Sequence, residues 1–89
     1  MEATLATAVQ EAAGKYLMFR LGQEYFGIKV CLVREIIRLT HITTVPQMPE
    51  HVRGVINLRG KIIPVVDLRL KLGLQPSSDD AQTCIIVVQ

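Results

Sequence analysis

Short stretches rich in β-branched and aromatic residues, with imperfect alternation of apolar and polar positions, follow one another along the chain. Residues 15–21 and 25–29 are two such stretches, and the short turn of residues 22–24 between them predicts a hairpin. Residues 30–39 are ambiguous, because their apolar positions fit helical spacing while their composition favours a short turn followed by a strand.

Residues 52–59 and 61–67 predict a second hairpin. Its connection is the tight Arg59-Gly60 pair, and glycine accepts positive φ without steric cost. Pro64 lies inside the second of these strands and cannot donate a ladder hydrogen bond. We therefore expect this strand to be an edge or to carry a bulge at the proline.

The remaining segments are punctuated by turn residues. Asp67 is placed to cap a short helix over 68–72, residues 75–82 predict a loop, and residues 83–89 predict a strand. Residues 1–13 have little apolar surface to bury and predict a mobile or weakly helical tail. About six strands with two short helical segments predict a mainly β fold, a small closed or nearly closed barrel.

The composition excludes several classes of protein. The chain has 89 residues, enough for one small domain. A net charge of +2 is too balanced for a dedicated nucleic-acid surface. The longest apolar run, over 84–88, is far shorter than the roughly 20 residues of a membrane span. Residues 1–13 lack the basic start and continuous apolar core of a signal peptide, so we expect a cytoplasmic protein without membrane insertion.

Residues that could carry chemistry are few and scattered. No catalytic set, metal-ligand spacing or nucleotide-binding loop is recognisable, so neither an enzyme nor a cofactor is predicted. Cys31 and Cys84 lie far apart in apolar surroundings and are expected to be small buried hydrophobes. Asp67 near Arg69 and Glu35 near Arg34 and Arg38 are expected to form surface or rim ion pairs of little individual value.

Residues 54–69, GVINLRGKIIPVVDLR, resemble the signature of CheW-like domains. Three earlier segments agree with the family in order and spacing: KYLMFRLG at 15–22, YFGI at 25–28 and VREII at 33–37. The approach PEHVRG at 49–54 is similar as well. The resemblance covers residues 15–89.

The resemblance implies two SH3-like β-barrels side by side and an adaptor of bacterial chemoreceptor arrays at the inner membrane. One surface would bind the regulatory domain of the histidine kinase CheA. A groove between the barrels would bind the cytoplasmic tip of methyl-accepting chemoreceptors. The positions that match the family's partner-binding residues are Val30, Val33, Glu35, Asn57 and Arg59. Arg59 is the expected polar anchor, because its guanidinium can hold a carboxylate or carbonyl, and Val33 would add apolar contact.

The family is roughly twice as long as this chain. We therefore expect a tail over 1–14, a first barrel over 15–82, and the opening strand of a truncated second subdomain over 83–89. With one wall of the receptor groove missing, binding to the kinase is expected more than binding to the receptor. An apolar strand at 83–89 would be a sticky edge, satisfied by self-association with another copy or by folding back on the first barrel.

Two other functions compete with the adaptor. The same module could be the regulatory domain of a CheA-type kinase or the front of a CheW–receiver fusion. Alternatively, a small β-barrel could bind nucleic acid, which requires exposed aromatic residues on a basic face. Four aromatic residues and the balanced charge make this second alternative weak.

Overall fold

The computed structural model describes residues 1–6, 8–11, 14–74 and 82–89. Eight strands carry almost all of the regular structure of these residues. A 3-10 turn, Val30–Leu32, precedes the fifth strand, and the helix α1, Leu68–Lys71, follows the seventh. The strands are β1 Glu2–Ala6, β2 Ala8–Glu11, β3 Tyr16–Leu21, β4 Glu24–Lys29, β5 Val33–Arg38, β6 Val52–Leu58, β7 Lys61–Val66 and β8 Cys84–Val88.

The strands form two sheets. The larger has the order β5-β8-β1-β7-β6, and the smaller has the order β2-β3-β4. Among the described strands, only the pairing of β1 with β7 is parallel, and all the other pairs are antiparallel. The mainly β, SH3-like barrel class predicted from the sequence is confirmed.

Both predicted hairpins are present. β3 pairs with β4 from Tyr16↔Lys29 to Leu21↔Glu24, and β6 pairs with β7 as far as Leu58↔Lys61 beside the turn. The ambiguous segment over 30–39 takes the second of its two forms, a 3-10 turn followed by β5. The loop predicted over 75–82 lies, apart from Gln82, outside the described residues.

Pro64 lies in β7, which is an interior strand and not an edge. Two backbone hydrogen bonds join Val55, the β6 partner of Pro64, to Thr43 on the far side of β6. Val55 and Pro64 therefore form a non-hydrogen-bonded pair of the β6–β7 ladder. Toward β1, the pairing of β7 begins only at Val65. The proline thus removes no ladder bond, while the predicted irregularity occurs in β6, between Val52 and Gly54.

The prediction of a mobile or weakly helical tail is wrong for Glu2–Ala6. These residues form β1, which lies between β8 and β7 near the middle of the larger sheet. Ala3 is fully buried, and Leu5 and Ala6 are nearly so. Small and β-branched residues fit this site because both faces of the strand are covered. The domain boundary at residue 14 stays a prediction.

The apolar strand predicted over 83–89 is β8, and it folds back on the rest of the chain. β1 pairs with one side of it and β5 with the other, so Ile85, Ile86 and Val87 are completely buried. Of the two alternatives expected for this strand, folding back is the one found, and β1 and β5 occupy the edges that self-association would need. The assignment of residues 83–89 to a second subdomain stays a prediction.

Two hydrophobic clusters fill the interior. One lies under the larger sheet, around Leu5, Ile56 and Ile85. The other joins the smaller sheet to the larger, because Leu17, Phe19 and Leu21 of β3 pack with Ala6 and Ile86. β1 and β8 contribute to both clusters, so the two ends of the described chain hold the two sheets together.

Candidate partner-binding surface

The tip of the β6–β7 hairpin is a two-residue turn with left-handed backbone at both positions. Arg59 has φ 51° and Gly60 has φ 87°, which are the signs of a type I′ turn. The twist of such a turn matches that of the flanking strands. An arginine at the first position is unusual, because left-handed backbone is strained for residues with a Cβ.

Asn57 stabilises this turn from the preceding strand. Its side-chain Oδ1 accepts a hydrogen bond from the backbone N–H of Gly60 at 2.8 Å. The role found for Asn57 is therefore to hold the turn that displays Arg59. Its assignment as a contact to a partner stays a prediction.

Arg59 forms an ion pair with Glu35, which lies on β5 at the opposite margin of the larger sheet. The two terminal guanidinium nitrogens take part: Nη1 donates to Glu35 Oε2 at 3.4 Å, and Nη2 donates to Oε1. The hydrogen bond with Glu35, followed by the charge of its carboxylate, raises the pKa of Arg59 above its ordinary value. Since β5 and β6 are the outermost strands, the pair brings the two margins of the sheet together.

The geometry of β5 directs Glu35 toward this pair. The pairing of β5 with β8 shifts between Val33 and Glu35, so Arg34 is an extra residue on β5. Such a bulge changes the direction of nearby side chains. The Glu35 side chain is 29% exposed and the Arg59 side chain is 71% exposed, so the guanidinium is the accessible member of the pair.

A hollow of about 290 Å³ surrounds the ion pair. Three of its six lining side chains are basic and only Glu35 is acidic, so the hollow has a net positive charge. Its surface is suited to hydrogen bonding with carboxylates and carbonyls, which guanidinium groups bind well. The lining residues are Met1, Arg34, Glu35, Leu58, Arg59 and Lys61.

The two predicted valines lie elsewhere. Val33 is half-buried at the start of β5 and packs against the cluster beneath the smaller sheet, so packing is the role found for it. Val30 is 47% exposed in the 3-10 turn and lines a separate open groove with Tyr16, Lys29 and Cys31. The fold thus brings together Glu35, Asn57 and Arg59 but not the valines.

The expectation of a surface pair for Asp67 and Arg69 is wrong. Both residues are at most 4% exposed. Asp67 Oδ1 accepts from the backbone N–H of Arg69 at 3.0 Å and from its Nε at 3.3 Å, and Arg53 lies 3.7 Å from Oδ2. Asp67 is the predicted cap of α1. Sequence spacing revealed the cap but not the burial of the charges, which depends on packing against distant strands.

The cysteines also differ from the expectation of two buried thiols. Cys31 is exposed and Cys84 is only partly buried, and neither forms a disulfide. Burial raises the pKa of the Cys84 thiol, because the thiolate is poorly solvated there. Within the described residues, no three side chains of the metal-binding types converge on a common point. No helix in that part of the chain is long and apolar enough to cross a membrane.

The fold and the surface define a small, mainly β domain that presents one positively charged hollow beside a hairpin tip. The model of the CheW-like domain family matches residues 15–89. The chain belongs to the CheW-like domain family. Residues 1–14, which include β1 and β2, lie before the matched region.

Individual relatives agree with the family match. The chain is 39% identical over 87 residues to chemotaxis protein CheW of Klebsiella aerogenes, covering 97% of this chain and 52% of that protein. It is 41% identical over 73 residues to the probable chemotaxis protein CheW of Rhizobium etli, covering 82% of this chain and 47% of that protein.

A solved structure gives the same result. The crystal structure of scaffolding protein TtCheW from Thermoanaerobacter tengcongensis superposes with a TM-score of 0.81 at 39% identity. The match covers 84% of this chain and 51% of that chain. The chain therefore spans about half the length of the curated relatives and the solved structure that it matches.

Proposed function

We propose that this chain is a non-enzymatic adaptor of bacterial chemotaxis, which couples chemoreceptors to the histidine kinase CheA by protein–protein binding. One observation supports the proposal above all: Arg59, at the tip of a hairpin inside the family signature, presents a largely exposed guanidinium over a positively charged hollow. The relatives are chemotaxis proteins, and the solved neighbour is a scaffolding protein.

The mechanism of binding rests on the Arg59–Glu35 pair. The type I′ turn fixes the backbone of Arg59, and Glu35 holds one side of its guanidinium, so few side-chain rotamers remain to be lost on binding. A guanidinium has five N–H donors, and the exposed ones can bond to a carboxylate or carbonyl of the partner. Arg34 and Lys61 at the rim would draw in an acidic partner surface.

The kinase is the partner that this chain supports best. The family's receptor groove lies between two barrels, and the chain spans about half the length of its relatives. The partners proposed are therefore the regulatory domain of CheA first and the receptor tip second. The location that follows is the cytoplasm, at chemoreceptor arrays of the inner membrane.

The experiment is a pulldown of this chain with the CheA regulatory domain and with a receptor tip, tested separately. We expect retention by the kinase domain, and reduced retention for Arg59→Ala. Arg38→Ala is the matched control, because Arg38 is an exposed arginine on β5 outside the hollow. If neither partner retains the wild-type chain, or if both arginine variants bind equally well, the proposal fails.

A further inference from the structure

β4 is the terminal strand of the smaller sheet, and no strand among the described residues pairs with its outer edge. Val30 donates to the Lys15 carbonyl at 2.7 Å, in the same register as the β3–β4 ladder. Lys15 and Val30 are thus a hydrogen-bonded pair. Such pairs alternate with non-hydrogen-bonded pairs along an antiparallel ladder, so Ile28 and Phe26 of β4 also form backbone hydrogen bonds to β3. The backbone N–H and C=O groups of Tyr25 and Gly27 and the N–H of Lys29 therefore point away from β3, while the Lys29 C=O, at the N-cap of the 3-10 turn, accepts the first hydrogen bond of that turn.

This edge lacks the usual protection against pairing. Among the described strands, β6 is covered at Val55 by the Thr43 bridge, and β5 carries a bulge with arginines on its exposed side. In β4, by contrast, only the first and last residues are charged, and residues 25–28 between them are uncharged. Gly27 is exposed, and a Cβ added there would meet no atom of the described residues within 4 Å. Edges of this kind accept a further strand.

The geometry points to a second copy of this chain as the strand that pairs with β4. We infer an antiparallel dimer with Gly27 of each copy on the two-fold axis. In that register the two Gly27 residues exchange both of their backbone hydrogen bonds, and the Lys29 N–H of each copy donates to the Tyr25 carbonyl of the other. A neighbouring register, centred on Phe26, leaves the N–H of Lys29 without a partner strand.

The side chains are self-complementary in the same register. On the solvent face, the ammonium of Lys29 lies opposite the Tyr25 ring of the second copy, an arrangement that favours a cation–π contact. On the core face, Phe26 lies opposite Ile28 of the second copy, and both are only partly buried within one chain. A single pair of short strands buries less than the roughly 1,200 Å² of a stable complex, so the dimer is transient.

The test is sedimentation equilibrium from micromolar to millimolar chain concentration, together with amide exchange measured by NMR. We expect the amides of Gly27 and Lys29 to gain protection with concentration, while those of Phe26 and Ile28 are protected at every concentration. Gly27→Pro removes an outward N–H that no described residue accepts, so it should abolish the dimer with little change in melting temperature. A wild-type chain that stays monomeric up to millimolar concentration overturns the inference.

Charge substitutions test the register itself. Tyr25→Lys places two lysines opposite each other at both ends of the interface and should weaken the dimer, whereas Tyr25→Glu should keep or strengthen it. Adding Lys29→Glu to Tyr25→Lys should restore association. If both Tyr25 variants weaken the dimer equally, or if Lys29→Glu does not restore it, the proposed register is wrong. None of these residues lines the Arg59 hollow, so this test is independent of the proposed function.

Discussion

Thr43 and Val55 exchange both backbone hydrogen bonds, each 2.9 Å long, directly beside Gly54. Gly54 has φ 145°, and a Cβ there would lie 2.8 Å from the Thr43 carbonyl carbon and closer still to its oxygen. We predict that Gly54→Ala destabilises the fold by about 3 kcal/mol or more, since backbone strain adds to a backbone clash. Urea unfolding followed by circular dichroism measures this change.

Gly27→Ala is the matched control, because an added Cβ at Gly27 meets no atom within 4 Å and its φ is not in the left-handed region. It should leave stability unchanged or raise it by up to about 1 kcal/mol. If Gly54→Ala and Gly27→Ala lose the same free energy of unfolding, the close approach of Gly54 to Thr43 is contradicted.

Leu5 tests whether β1 is an integral strand. It is 1% exposed in the cluster under the larger sheet. Leu5→Ala should therefore cost about 2–5 kcal/mol of unfolding free energy, from lost burial and the cavity left behind. Glu2→Ala, at the exposed start of the same strand, should change stability by less than about 0.5 kcal/mol. A Leu5→Ala loss as small as the control's would show that the first residues are not part of the sheet.

Asp67 and Arg69 form a buried ion pair, and we expect the replacement of either residue alone to destabilise the fold. Asp67→Ala should destabilise by about 3–5 kcal/mol, because it leaves the buried guanidinium without its carboxylate and α1 without its cap. Arg69→Leu should also destabilise. The double variant should lose less than the sum of the two, as coupled neighbours do. Thermal unfolding of the wild type, the two single variants and the double variant completes the double-mutant cycle. If the stability losses of the two single variants add up to that of the double variant, the two residues are not coupled.

The two cysteines should differ in reactivity. Burial raises the pKa of Cys84, whereas Cys31 is exposed, so a maleimide at neutral pH should label Cys31 first. The folded-state pKa of Cys84 lies above its unfolded-state pKa. The contribution of this thiol to stability is therefore complete at a pH below the unfolded-state pKa, and it is lost as the pH rises through the folded-state pKa. Labelling followed by mass spectrometry, with Cys31→Ser and Cys84→Ser as controls, checks the order.

The left-handed backbone at Arg59 allows binding to be separated from folding. Arg59→Ala removes an ion pair that is exposed to solvent and screened by it, so the fold should persist while binding to the CheA regulatory domain weakens. Arg59→Gly should bind equally poorly and yet be more stable than Arg59→Ala by up to about 1 kcal/mol, since glycine relieves the positive φ. If Arg59→Ala unfolds instead, Arg59 is a structural residue.

The sequence predicted the local elements well, because local chemistry determines them. Strand propensity and turn residues identified both hairpins, and the Arg59-Gly60 turn and the Asp67 cap were found from residue types alone. It did not predict the position of β1, whose burial depends on partners more than 60 residues away. Alanine-rich sequence carries no strong strand signal, so only pairing with β7 and β8 specifies the strand.

The candidate surface was predicted in part for the same reason. The resemblance selected Glu35, Asn57 and Arg59, which do converge, and it also selected two valines that do not. Linear spacing could not show that β5 and the β6–β7 turn meet across the margins of one sheet. The likeness to the CheW-like family supplied candidate residues, and the topology decides which of them act together.

Glu2 pairs with Val88, so strands from the first and last residues described lie side by side. This pairing constrains the order of events during synthesis. β1 leaves the ribosome well before both of its neighbours, and its antiparallel partner is complete only when Val88 has been added. Contacts of such long sequence separation slow folding. The larger sheet therefore forms late. Until then β1 is an unpaired strand, whose edges are open to association with other nascent chains.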